Sequence, residues 1–292
     1  MDKKSKIIVI LGQTSTGKSD FAVEVAKKYN GEIISADSRQ VYKGMNLGTG
    51  KITKKEMQGV PHYLLDVISP TKTFSVNDYQ KIANKKIQEI IEKKKVPIIC
   101  GGTGFYIDAV VNGTIFPEVP PNKKLREQLE NKTPEQLFAI LGKLDETRAS
   151  NIDKKNKVRL IRAIEIAKAL GEVPKLQSQT SDTCSNRCPT SIYEYIKIGL
   201  TLPDEVLKER IYNRLLARIK KGMIKEVKDL HAKGLSWKRM NELGLEYRYV
   251  SSFLQNKITK EEMIENLNTE IWHYAKRQKT WFKRDKSIIS EQ

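Results

Sequence analysis

Near the start of the chain, Gly12-Gln13-Thr14-Ser15-Thr16-Gly17-Lys18-Ser19 fits the spacing G-x-x-x-x-G-K-S/T. Glycines let such a loop curl until its backbone N–H groups point at phosphate oxygens, and a helix starting there adds a favourable dipole. Lys18 supplies a positive charge to the phosphates, and the Ser19 hydroxyl is the group expected to meet Mg²⁺. The motif does not separate a nucleoside triphosphate such as ATP from another pyrophosphate. Two further segments bear on that choice. Asp37, in Ser35-Ala36-Asp37-Ser38-Arg39-Gln40, offers a carboxylate that can take a proton from an incoming nucleophile or can cap a turn. Gly101-Gly102-Thr103-Gly104-Phe105-Tyr106 clears the backbone for close approach and presents the Thr103 hydroxyl. A hydrolytic motor would usually carry a metal-binding Asp there.

These groups meet only if short strands end side by side. Apolar runs at residues 7–11, 32–36 and 96–100 read as buried strands, each leading into one of the three segments. Residues 19–29 and 76–92 read as helices between them, and 196–202 as a late strand. The alternation predicts an α/β fold, a P-loop NTPase-like core with a mostly parallel sheet that binds ligands at the carboxyl edge. Pro117, Pro120 and Pro121 open a stretch with helical periodicity and no convincing strand. We therefore expect a helical insertion at 118–189, within a core formed by 1–117 and 190–292. In the insertion, a helix at 158–170 stops at Gly171 and Pro174 and carries Arg159 and Arg162 about one turn apart. A later helix at 206–221 places Leu207, Ile211, Leu215 and Ile219 on one stripe and Arg210, Arg214 and Arg218 on another. One stripe can pack while the other meets phosphate.

Length and charge narrow the function classes. A chain of 292 residues buries a full core without disulfides. Its three cysteines read as reduced intracellular thiols, and Cys184 with Cys188 would lack two further ligands for zinc. The apolar run at 7–11 is too short for a signal sequence or a membrane span, so a cytoplasmic protein is expected. Lys and Arg outnumber Asp and Glu by 53 to 35, a formal charge of +18 that suits a polyanion, although a lysine-rich surface alone would give the same count. The run from Lys276 to Lys286 contains six cations and one acid, with Trp281 and Phe282 between them. Those aromatics either stack on bases or anchor a helix to the core.

The segments GQTSTGKS at 12–19, ADSRQVYKGMNLGTGK at 36–51, PHYLLDV at 61–67 and GGTGFY at 101–106 follow in a known order. VRLIRAIEI at 158–166, RLLARIKKGMIKEVKDL at 214–230 and AKRQKTWFKR at 275–284 complete it. With these the chain resembles the tRNA dimethylallyltransferases, also called isopentenyl-tRNA transferases. The lack of a C-terminal zinc-binding extension fits the shorter bacterial type.

The resemblance implies that residues 12–19 hold the pyrophosphate of dimethylallyl pyrophosphate with Mg²⁺, helped by Arg214. It implies that Asp37 contacts the adenine amine and acts as its base, and that Thr103 meets the pyrophosphate near the bond being broken. Asp37, Ser38, Arg39 and Gln40 fall in a tRNA-contacting segment, and Thr103, Arg126, Arg159 and Arg162 match further tRNA contacts. Two places depart from the family pattern. Asn151-Ile152-Asp153-Lys154-Lys155-Asn156 stands where His-Pro-Asn-Asp is usual, and Gly244-Leu245-Glu246-Tyr247-Arg248 stands where Gly-Tyr-Arg or Gly-Tyr-Lys is usual. The activity so implied moves the dimethylallyl group to N6 of the adenosine 3′ of the anticodon. The partners are the tRNA anticodon stem-loop and dimethylallyl pyrophosphate, and the chain is expected to act as a monomer without a membrane. Two other enzymes share these motifs in part, an isopentenyltransferase for free adenine nucleotides and a small-metabolite kinase. A non-enzymatic RNA-binding regulator would have no use for the catalytic set.

Overall fold

A computed structural model describes residues 4–176 and 193–291. Cys184 and Cys188 lie outside the described residues. Six strands form one sheet in the order β3-β2-β4-β1-β5-β6: β1 (Ser5–Gly12), β2 (Gly31–Ala36), β3 (His62–Tyr63), β4 (Val96–Gly101), β5 (Tyr193–Leu200) and β6 (Ile289–Glu291). Every described pairing is parallel. The three apolar runs become β1, β2 and β4, three adjacent strands whose carboxyl ends share one edge. Strands β3 and β6, of two and three residues, carry too little periodicity to be read from sequence.

The continuous apolar character of these strands follows from cover on both faces. Ile8, Ile10, Ile33 and Ile98 pack on α1 (Lys18–Lys28) through Ala22, Val23, Val25 and Ala26. Ile7, Val9, Ile34 and Ile99 point the other way, onto α3 (Val76–Glu92) and α4 (Gly104–Val111) through Tyr79, Ala83, Ile87 and Ile107. This even-and-odd division is the period of two expected of a strand. Helix α3 is started by a reciprocal cap, in which Ser75 accepts from the Asp78 N–H and Asp78 accepts from the Ser75 N–H.

A third core lies among the C-terminal helices α9 (Asp204–Lys220), α10 (Met223–Ala232), α11 (Trp237–Leu243), α12 (Leu245–Leu254) and α13 (Lys260–Phe282). The stripe Leu207, Ile211 and Leu215 is buried there against Val41, Tyr42 and Met45, which follow β2. None of the helices among the described residues is long and apolar enough to cross a membrane.

The chain divides into two compact units, Met1–Gly113 with Asp182–Gln292, and Thr114–Ser181. The second unit is helical where described, with α5 (Lys123–Glu130), α6 (Pro134–Leu144), α7 (Glu146–Ser150) and α8 (Lys157–Leu170). Its own core is built from Leu129, Leu137, Leu141, Ile152, Leu160 and Ile164.

Candidate active site

The loop between β1 and α1 has the form its sequence requires. Gly17 caps α1 with φ 91°, a left-handed conformation that costs glycine little, and α1 starts at Lys18. Ser19 is exposed in the first helical turn. Lys18 Nζ donates to the Gln13 carbonyl at 2.9 Å. Burial pulls the Lys18 ammonium below the ordinary lysine range, and the positive charge of Arg214 on α9 acts the same way. The Asp37 carboxylate opposes that shift, so the three groups share one electrostatic neighbourhood. Burial, then the charge of Arg218, likewise lowers Arg214, whose guanidinium donates to the Gly50 carbonyl at 3.2 Å.

Asp37 follows β2 directly, and its two oxygens are used differently. Oδ1 accepts the Arg39 N–H at 2.8 Å and the Gln40 N–H at 3.2 Å, which makes the turn that the sequence allowed as an alternative. Oδ2 has no protein partner among the described residues. The carboxylate is thus aimed by its own turn while one oxygen stays available. Ser38 N–H donates to Thr103 Oγ1 at 3.1 Å, and Thr103 N–H donates to the Ala36 carbonyl at 3.1 Å. These bonds join the β2 and β4 ends and bring Asp37 and Thr103 together.

Sequence reasoning missed the groups that hold these loops. Gln278 of α13 is 5% exposed; its Oε1 accepts the Thr14 N–H at 2.8 Å and its Nε2 donates to the Gly102 carbonyl at 2.8 Å. A Cβ on Gly102 would lie 2.2 Å from that Nε2, so the glycine makes room for the amide. Gln13 is buried; its side chain donates to the Ala275 carbonyl at 3.1 Å, and its own carbonyl accepts from Thr16 Oγ1 and Lys18 Nζ. Tyr274 shares a hydrogen bond with Thr103; burial and the nearby Asp37 push its hydroxyl up to about 12, so it stays protonated at neutral pH. Trp281 N–H donates to Asp108 Oδ2 at 2.8 Å and fills the space left by Gly104. Of the two readings of Trp281, the structure shows anchoring. Tyr274 and Gln278 lie in or beside a strongly basic segment, where nothing local marks a polar side chain as facing inward.

The loop after β2 is also finished from far along the chain. Glu226 of α10 accepts the N–H groups of Asn46, Leu47 and Gly48 at 3.0, 2.7 and 3.0 Å, and Tyr247 donates to it at 2.8 Å. Arg218 donates to the carbonyls of Leu47 and Gly48 and pairs with Glu246 at 2.8 Å. The divergent 244–248 stretch therefore gives Glu246 and Tyr247 to the support of this loop. The stripe Arg210, Arg214, Arg218 is not uniform, since Arg218 holds backbone while Arg214 lies near Lys18.

In the helical unit, Glu165 of α8 gathers two of the singled-out arginines. Arg126 donates to it twice, at 2.8 and 2.7 Å, and Arg162 at 3.3 Å, while the Asn122 N–H adds a bond at 2.8 Å. Burial alone would raise the carboxyl, but these donors outweigh it and hold Glu165 below the ordinary carboxylate range. Arg162 also donates to the Val119 carbonyl at 2.8 Å. Arg159 is exposed, and its guanidinium has no partner among the described residues. In the 276–286 run, Lys279 pairs with Asp204 at 2.6 Å, Asp285 is taken by Lys197 at 2.6 Å, and Lys276, Arg277, Lys283, Arg284 and Lys286 stay exposed.

A family model described as IPP transferase matches residues 40–285. The chain belongs to this family. Relatives agree along nearly the whole length. The tRNA dimethylallyltransferase 2 of Treponema denticola is 42% identical over 97% of this chain and 93% of its own. The tRNA dimethylallyltransferase of Anoxybacillus flavithermus is 37% identical over 97% and 89%. Among solved structures, the full-length tRNA isopentenylpyrophosphate transferase of Bacillus halodurans matches with a TM-score of 0.72 at 35% identity, covering 99% of this chain and 90% of that one. A eukaryotic dimethylallyltransferase acting on tRNA gives a TM-score of 0.72 at 25% identity, over 95% and 70%. The family match begins at residue 40, after Lys18 and Asp37.

Proposed function

We propose that the chain transfers the dimethylallyl group of dimethylallyl pyrophosphate to the N6 amine of the adenosine 3′ of the anticodon in tRNA. The observation that carries the reading is the convergence of Asp37, Thr103 and Lys18 at one sheet edge, in a member of this family. An adenine amine is a weak nucleophile, because its lone pair is delocalised into the ring. Its reaction needs close placement and a base for the proton released as the bond forms. Asp37 Oδ2 suits that role, since Oδ1 fixes the carboxylate without occupying Oδ2. In the balanced step the allylic C–O bond breaks, the N6–C bond forms, one N6 proton passes to Asp37, and pyrophosphate departs with the bonding electrons. Lys18, the loop N–H groups, Arg214 and the Thr103 hydroxyl are the groups that meet the charge gathering on the leaving oxygen.

A divalent ion fits this site in one way. Among the described residues there is no cluster of His, Cys, Asp and Glu able to cage a metal, whereas Ser19 presents a hydroxyl beside the phosphate loop. Mg²⁺, which commonly binds through few protein ligands together with substrate phosphates, would be held by Ser19 and would lower the charge of the pyrophosphate.

The helical unit, through Arg126, Arg159 and Arg162, and the exposed cations of 276–286 are the tRNA contacts of this reading, with Ser38, Arg39 and Gln40 nearer the reacting base. A tRNA substrate and the buried thiol of Cys100 support work in the cytoplasm. The test is incubation with radiolabelled dimethylallyl pyrophosphate and either unmodified tRNA or AMP. Label in tRNA is expected. Label in AMP alone, or consumption of ATP with no prenyl transfer, would replace the reading.

A further inference from the structure

Helix α13 lays one face, residues 274, 275, 278 and 281, over the phosphate loop and the 102–104 loop. Among the described residues Gln278 alone bonds both loops, and it does so with opposite ends of one planar amide. Each bond is 2.8 Å, and the amide is buried, so a single rigid group bridges Thr14 and Gly102 just beyond the paired ends of β1 and β4. The separation of the two loops matters for the chemistry proposed above. The loop of Thr14 carries the groups that bind pyrophosphate, whereas the loop of Gly102 carries Thr103, placed toward the bond that breaks. A leaving group held from two loops is stabilised only if both stand at the right distance, and an error of about 1 Å can cost on the order of a hundredfold in rate.

From this geometry we infer that Gln278 is a positioning residue for pyrophosphate departure, setting the gap between the phosphate loop and the Thr103 loop. It rests on the transferase reading but touches no substrate atom. The amide also occupies the Thr14 N–H, so that donor belongs to the protein and the phosphate is met by the N–H groups that follow it. A carboxamide is suited to this place because it accepts at one end and donates at the other. Glutamate does the same only when protonated. As a carboxylate it would still accept the Thr14 N–H but would set a bare oxygen against the Gly102 carbonyl.

This difference supplies a test that packing alone does not mimic. Turnover with tRNA, binding of inorganic pyrophosphate by calorimetry, and tRNA affinity would be measured for wild type, Q278L and Q278E across pH 5.5 to 8.5, a window of about three units chosen around the titration of a buried glutamic acid. For Q278L, kcat should fall about tenfold to a hundredfold, and pyrophosphate binding should weaken by a smaller factor, with tRNA affinity within about twofold of wild type. For Q278E, the ratio of its kcat to that of wild type should rise as pH falls, because the protonated acid restores the donor to Gly102. Hydrogen exchange at the Thr14 amide should quicken in Q278L and stay slow in Q278E. A flat Q278E ratio, or kcat and pyrophosphate binding unchanged in both variants, would overturn the inference. If Q278L does not fold, the Q278E pH ratio decides alone. A wild type that binds pyrophosphate but transfers nothing to tRNA would instead overturn the transferase reading, while the Thr14 exchange and pyrophosphate arms still report on Gln278.

Discussion

The sheet edge and the helical unit both hold charged groups in place, but they do so over different distances along the chain. At the sheet edge the holding groups come from far away: Gln278 reaches Thr14, Glu226 reaches residues 46–48, and Arg214 reaches Gly50. In the helical unit the holding group is local, with Glu165 gathering Arg126 and, from its own helix, Arg162. The first arrangement fixes loops against one another, as close control of a reacting bond demands. The second keeps two like charges together by placing a buried carboxylate between them and leaves Arg159 exposed on the surface. On the proposed function, the tightly held loops are those beside the reacting bond, and the exposed arginine is one that meets tRNA.

If this contrast is right, the largest effect belongs to Asp37. D37N keeps an acceptor for the Arg39 and Gln40 N–H groups but loses the base, so single-turnover transfer should slow by about a hundredfold or more with tRNA binding nearly intact. D37A removes the turn as well and should be no faster. A D37N rate near wild type would reduce Asp37 to a turn cap and erase the special status of the sheet edge.

Lys18 and Thr103 come next and should separate in kind. K18A is expected to weaken pyrophosphate binding and rate together, because that charge serves both ground and transition states; T103V should lower kcat by about tenfold or more with little change in substrate affinity. Steady-state kcat and KM for dimethylallyl pyrophosphate, measured side by side, would expose an equal loss of affinity in both, which is the result against the assignment.

In the helical unit the expected loss is of stability. Removing Glu165 in E165A leaves two arginines facing each other without their buried partner, at a cost on the order of 3 kcal/mol. Because the folded pKa of Glu165 lies below its unfolded value, its contribution is present above about pH 4.5 and is lost as pH falls through the folded value. Urea unfolding of wild type and E165A between about pH 7 and pH 3 should therefore show a gap that narrows on acidification. A gap constant with pH would mean that the cluster contributes by packing rather than by charge.

The smallest effect should come from Arg159. R159A is expected to flatten the slope of log affinity for tRNA against log salt by up to about one unit, with unchanged stability, whereas R162A should disturb both. Salt titrations paired with thermal melts would settle the contrast; identical behaviour of the two variants would remove the distinction between a free and a held arginine.

The parts legible in sequence were those specified by neighbours in the chain. Residues 12–19 dictate their loop because Gly17, Lys18 and the following apolar helix are contiguous, and β1, β2 and β4 are legible because strands covered on both faces must be apolar throughout. The α9 stripe was legible for the same reason, as a period of 3.6 is a local property. Gln278, Glu226 and Glu165 were not, because a polar residue on an amphipathic helix looks alike whether it faces water or a backbone amide. Only the fold decides which. Tyr247 shows this most plainly: it lies in the stretch that departs from the family pattern, and only the fold reveals that its hydroxyl donates to Glu226.

The long reach of Gln278 has a consequence for the birth of the protein. The phosphate loop leaves the ribosome well before the residue that ties Thr14 to Gly102, which is made 264 positions later. Its sheet neighbour β5 comes only after the whole helical unit has been synthesised. At roughly 5 to 20 residues per second, translation leaves the loop without its clasp for some tens of seconds. A nascent chain thus carries the phosphate-binding motif before the amide that joins it to the Gly102 loop exists. The bond between the two loops is therefore closed only after the helical unit, β5 and most of α13 have been made.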